Sequence, residues 1–208
     1  MRTLTFALAA ALTIAATAHA EDQVRNLPAF TSISVYGPLS VTVDGGKAQS
    51  LTLRGDSRFI QDVSSEVVNG ELRLSVREKN KVSWHGDPRV VITMPALRAL
   101  DVEGAGEISL NQIRGDRLDV NYRGAGRMAI NGEVKTFTMK AEGVGEVDAK
   151  NLLANDADVN FRGIGDIKVY ARNRLDAVVE GLGGVTYYGK PRTVNKTASG
   201  IGSVKAGN

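Results

Sequence analysis

Residues 163–169 read "GIGDIKV", and whether those two glycines hold a ligand or shape the chain decides the fold. The stretch is one of six. "GAGEISL" begins at 104, "GAGRMAI" at 124, "GVGEVDA" at 143, "GLGGVTY" at 181 and "GIGSVKA" at 200. Successive copies start 18 to 20 residues apart, and a fixed period of that size is the mark of a repeat architecture.

The local period says what each repeat is made of. Before the glycine pairs the apolar residues alternate, as in Leu118-Val120-Tyr122, Phe137-Met139-Ala141, Ala157-Val159-Phe161 and Leu175-Ala177-Val179. After the pairs they alternate again, as in Ile108-Leu110, Met128-Ile130 and Ile167-Val169. A period of two means strands with one buried face. The expectation is an all-β fold, a parallel β-solenoid of about six Gly-x-Gly rungs. At roughly 4.8 Å per rung the stack is about 25–30 Å long.

Glycine in a strand costs about 0.5–1 kcal/mol relative to alanine, so twelve of them need a reason. Gly104, Gly106, Gly124, Gly126, Gly143, Gly145, Gly163, Gly165, Gly181, Gly183, Gly200 and Gly202 are expected at corners, where positive φ or close backbone approach calls for glycine. A corner would turn the apolar residue between them (Ala105, Ala125, Val144, Ile164, Leu182, Ile201) into the core. A dinucleotide fingerprint needs a third glycine and a following helix, and neither is here. A calcium-binding array repeats every nine residues or so with a fixed aspartate. Here the residue after each pair runs Glu107, Arg127, Glu146, Asp166, Gly184, Ser203. The residue before each pair runs Glu103, Arg123, Glu142, Arg162, Glu180, Ser199. Stacked one copy per layer, these become vertical neighbours of alternating sign, a device that fixes register.

Residues 28–95 lack the glycine pairs but are strand-like throughout. Asn69-Gly70 between "EVV" and "ELRLSV" signals a hairpin. This half is expected to continue or cap the stack, with 28–208 as one domain. The last copy ends close to Asn208, and that end is expected to stay exposed or to pair with another chain as a homo-oligomer.

The chain opens "MRTLTFALAAALTIAATAHA", one arginine, a short apolar run and an Ala-His-Ala ending. That is the layout of a cleaved signal peptide over residues 1–20. The apolar run is shorter than the roughly 20 residues a membrane span needs, so no membrane insertion is expected after cleavage. Taking 20 residues from 208 leaves 188, and losing Arg2 takes the net charge from +3 to +2. With both signs scattered, neither nucleic acid nor an anionic membrane is supported as a partner. Cysteine is absent, which excludes disulfides and a lipid-modified amino-terminal cysteine.

Several segments together resemble a known family. "LPAFTSISVYGPLSVTV", "NGELRLSV", "VVITMPALRALDVEGAGEI" and "GLGGVTYYGKPRTVNKTASGIGSVK" are similar to the bacterial family called putative auto-transporter adhesin, head GIN domain. The resemblance implies a right-handed β-solenoid exported by Gram-negative bacteria, with an adhesive role. It supplies no catalytic residues, and the chain shows no carboxy-terminal membrane barrel of the kind an auto-transporter carries.

The residues offer little for catalysis. His85 is the sole histidine after residue 20, and without cysteine neither thiol chemistry nor a multi-histidine zinc site is available. Asp158 and Asp176 each lie five residues before a glycine pair. They are expected to stack, either holding a cation or splaying into water. The polar segment "REKNKVSWHGDP" at 77–88 holds the only tryptophan, Trp84, beside His85. It is either a ligand or partner loop or a lid folded back on the strands. The sequence therefore points to an exported, non-catalytic, adhesin-like binding protein without cofactor or metal, located in the periplasm or at the cell surface. Its partner would be a glycan or an envelope or surface protein. A periplasmic structural protein and a carbohydrate-active enzyme are the alternatives.

Overall fold

The computed structural model describes residues 21–76 and 84–208. The expected leader at 1–20 and most of the polar segment, 77–83, lie outside them. In chain order the elements are β1 (Glu21–Arg25), β2 (Ser32–Tyr36), β3 (Val41–Gly45), β4 (Ser50–Gly55), α1 (Ser57–Asp62), β5 (Val63–Val68), β6 (Glu71–Val76), β7 (Arg89–Met94), β8 (Ala99–Tyr188) and β9 (Thr193–Ala206). The all-β reading holds, with one short helix inside the half expected to be strands throughout. Asp56 starts that helix by accepting the Phe59 N–H at 2.8 Å, and Phe59 and Ile60 are buried. A local cap and two apolar anchors override the strand pattern there.

The right-handed parallel β-solenoid is corrected. The nine strands form a single sheet of mixed direction, in the order β1-β4-β7-β3-β8-β2-β6-β5, with β9 paired to β8. β1 with β4, β4 with β7, and β5 with β6 are antiparallel. The parallel pairs are β2 with β6 and β8, β3 with β7 and β8, and β8 with β9. A tight turn can only return the chain antiparallel, which accounts for β5 and β6. β1 with β4 and β4 with β7 are antiparallel across long connections, so their direction is set by packing at the sheet edge. The β5–β6 turn is the predicted one, with Asn69 at φ 53° and Gly70 at φ 78°.

Within β8 and β9 the repeat does set the register. β9 lies parallel on the end of β8 with an offset of 19 residues at every pair, so that Gly181 faces Gly200 and Leu182 faces Ile201. The backbone of Gly124 sits against Gly104, Gly143 against Gly124 and Gly163 against Gly143. The alternating residues quoted above are buried as expected, including Leu118, Val120, Phe137, Met139, Val159, Ile167 and Val169. They form one continuous core that runs into the buried residues of β2 to β7.

The glycine pairs differ from expectation in one respect. Burial alternates through them without a break: Val102 in, Glu103 out, Ala105 out, Glu107 out, Ile108 in. The residue between the glycines therefore points to solvent. Val144, Ile164 and Leu182 are about half exposed and Ile201 is 81% exposed. The glycines themselves occupy the inward parity. At Gly143, φ is 129°, and a Cβ there would overlap the carbonyl oxygen of Gly124. Positive φ leaves the strand extended while turning the Cβ direction along the stack, into the next layer's backbone. Only glycine avoids that collision.

The charged column forms in two of its steps. Arg123 Nε lies 3.3 Å from Glu142 Oε2, and Arg162 Nη2 lies 2.8 Å from Glu180 Oε2. A second ladder went unread in the sequence. Asn131 Nδ2 donates to Asn111 Oδ1 at 2.9 Å, and Asn111 Nδ2 donates to Asp44 Oδ1 at 3.0 Å. It ties β3 to two successive copies.

Two outcomes test this arrangement. Gly143→Ala is expected to cost more than about 1 kcal/mol in chemical denaturation, while Gly115→Ala, with open space around the new methyl, should cost less. Arg123→Glu, which stacks glutamates at 103, 123 and 142, should lower the urea midpoint more than Arg123→Ala. Equal midpoints for that second pair would remove the ladder as a register device.

Candidate functional site

Two regions matter for binding, and the first is the one the tryptophan marks. Trp84 folds back onto α1. Its ring meets Phe59 edge-on, with centroids 5.0 Å apart and planes at 82°, and Nε1 donates to Asp62 Oδ2 at 3.1 Å. An indole packed against the core with its one donor satisfied acts as a lid. His85 is held by Asp56 alone among the described residues. Its backbone N–H donates to Asp56 Oδ2 at 3.0 Å, Nδ1 lies 3.4 Å from the same oxygen, and the side chain is 87% exposed. Asp56 thus joins the helix cap to the Trp84 segment. The backbone N–H groups of Phe59 and then His85 hold its carboxyl below the usual carboxylate range.

The second region is the outward face where β2 meets the first copies of β8. β2 lies parallel on residues 99–103, so that Tyr36 stands beside Glu103 and Ser34 beside Asp101. The copies beyond add Asn121 and Arg123, then Lys140 and Glu142. Together with Tyr36, Asp101 and Glu103 they line a shallow groove of about 310 Å³. Tyr36 is 45% exposed and the polar residues are exposed. Arg123 and Glu142 are paired with each other. Among the described residues, the side chains of Asp101, Glu103, Asn121 and Lys140 have no hydrogen-bond or ion-pair partner. The groove thus offers free carboxylates, an amide and an ammonium beside an exposed ring.

Beneath that face lies Tyr122, whose buried hydroxyl has no partner among the described residues and whose pKa burial pushes up. Asp158 is exposed, while Asp176 accepts from Asn195 Nδ2 at 2.7 Å and pairs with Arg174 at 2.9 Å. Among the described residues no group of three or more histidine, cysteine or carboxylate side chains is placed to hold a metal ion.

Sequence reasoning missed the groove. The column three residues before the first three glycine pairs reads Asp101, Asn121, Lys140, and the alignment that gave the charged ladder would have listed it. Tyr36 has no such signal, because it comes to lie beside Glu103, in the adjacent column, only through the β2–β8 pairing.

Residues 29–191 match the profile of the family described as "Putative auto-transporter adhesin, head GIN domain". Among solved structures, a "putative adhesin" from Bacteroides fragilis is 22% identical, with a TM-score of 0.74 over 91% of this chain and 98% of that one. A "putative lipid binding protein" from Parabacteroides distasonis is 19% identical, with a TM-score of 0.45 over 91% and 97%. A "putative cell adhesion protein" from Clostridium sporogenes is 19% identical, with a TM-score of 0.43 over 90% and 99%. At these identities the first likeness concerns the fold alone, and the other two carry no argument. No curated protein matches the chain. Among the described residues no helix is long and apolar enough to cross a membrane.

Asp56 supplies the test of the lid. Asp56→Ala is expected to cost about 1 kcal/mol, as loss of a helix cap does, and to shift the emission of the sole tryptophan to the red. A carboxyl whose folded pKa is depressed stabilises the fold above its unfolded value, about 3.9, and loses that contribution as pH falls through the folded value. Acid denaturation followed at Trp84 should therefore be shallower in Asp56→Asn, which can still cap but cannot ionise. Identical acid limbs would mean that Asp56 has no such role.

Proposed function

The chain belongs to the auto-transporter adhesin head GIN domain family, and on that premise we propose that it is an exported, non-catalytic binding protein of the bacterial envelope with an adhesin-like role. The observation that carries this reading is the groove beside Tyr36. Free donors and acceptors of both signs surround an exposed aromatic ring on a rigid sheet face. Such a surface suits reversible recognition, since its groups are positioned by backbone pairing and have no partners to give up on binding. Nothing in the groove forms the nucleophile–base–orienter chain that group transfer needs.

Export rests on the leader-like residues 1–20. The place of action, periplasm or cell surface, decides between an adhesive role and an internal envelope role. Protease added to intact source cells should remove the protein if it acts as an adhesin. Protection from protease, with release on opening the periplasm, would reject the adhesive role and leave an envelope-internal binding protein.

A further inference from the structure

We propose that the groove beside Tyr36 is a saccharide subsite that takes a neutral oligosaccharide in an extended conformation, an inference that rests on the reading of the chain as a binding module. Three observations carry it.

The first is the ring. Tyr36 lies at one end of the groove with nearly half its surface open. An exposed aromatic face can stack on the C–H face of a pyranose while its hydroxyl reaches a ring substituent. The second is the spacing. Asp101, Asn121 and Lys140 come from successive layers about 4.8 Å apart, close to the advance of one pyranose along an extended glycan. They present in turn an acceptor, an amide that both donates and accepts, and a donor. Among the described residues none of the three is engaged elsewhere, so a sugar hydroxyl would gain a hydrogen bond without breaking one inside the protein.

The third observation is charge and shape. The lining holds three carboxylates (Asp101, Glu103, Glu142) against Arg123 and Lys140, and this balance disfavours a polyanionic glycan. A peptide added as an extra strand is also disfavoured. At Asp101 the backbone already pairs with Ser34 on one side, and the second copy lies on the other, so side chains alone face the ligand. The groove is neither closed over nor flat, so a chain of sugars can lie along it without any one residue being enclosed.

The test uses the ¹⁵N-labelled chain without residues 1–20. It is titrated with neutral tetrasaccharides of β1,4-linked glucose, mannose and N-acetylglucosamine, and with tetragalacturonate as the acidic comparison. At least one neutral tetramer should shift the amides of Tyr36, Asp101, Asn121 and Lys140. Tyr36→Ala and Asp101→Asn should each weaken that binding about tenfold or more, in keeping with loss of a stacking ring or of a hydrogen bond to a charged group. Trp84 emission, which reports a different part of the fold, checks that each variant is folded. If Tyr36→Ala does not fold, Asp101→Asn decides. The subsite falls if no neutral tetramer binds at millimolar concentration, if only tetragalacturonate binds, if the shifts map elsewhere, or if the folded variants bind like the parent. Protease accessibility on intact cells is read separately. Surface exposure without neutral-sugar binding would overturn the subsite alone, and sugar binding by a protected periplasmic protein would overturn the adhesive role alone.

Discussion

Backbone lies directly on backbone at the glycine pairs, and the rest of the molecule depends on that contact. Each of the first five pairs, from Gly104 to Gly183, holds its layer with positive φ, in a conformation where a side chain would run into the carbonyl of the layer before. Because the contact allows no Cβ, it recurs at the same place in those five copies and fixes how they align. Everything else in β8 and β9 is then sorted into columns. Apolar residues of inward parity stack into the core, and outward residues stack into ladders of charge, amide and exposed aliphatic groups.

That sorting is what makes a surface useful. A column on a sheet repeats a chemical position at a constant spacing on a stiff support, so unlike residues from distant points in the chain become neighbours. In the Glu103–Arg123–Glu142 column Arg123 and Glu142 pair with each other, which serves the fold. In the Asp101–Asn121–Lys140 column they do not, which leaves groups for a partner. The difference between a structural ladder and a recognition ladder here is two residues of sequence and one question, whether adjacent layers satisfy each other.

The amino-terminal half does a different job. Its strands bring antiparallel pairing to both ends of the strand order, and Trp84 packs on the small helix α1. A lone tryptophan on a polar segment invites a functional reading, but a satisfied indole N–H and an edge-on contact with Phe59 place it with the packing. The same half also supplies Tyr36, and so completes the groove that the repeats alone leave without an aromatic.

The sequence by itself determined the strands, their buried faces, the one-copy offset and the charged ladder, because each depends on a period of two or of about 20 that can be counted. It also determined the Asn69-Gly70 hairpin, whose turn needs residues that tolerate positive φ. Three things waited for the tertiary structure. Mixed strand direction followed from which segments pack beside one another at the ends of the strand order, and the expectation of an all-parallel stack failed on it. The outward aim of Ala105, Val144, Ile164 and their counterparts followed from the extended geometry of glycine at positive φ, since a letter pattern alone does not tell a corner from a continued strand. The groove followed from the β2–β8 register, which places Tyr36 beside Glu103 across 67 residues of chain. Periodicity is a local property of the chain and was legible; contacts between non-repeating and repeating segments are set by packing and were not.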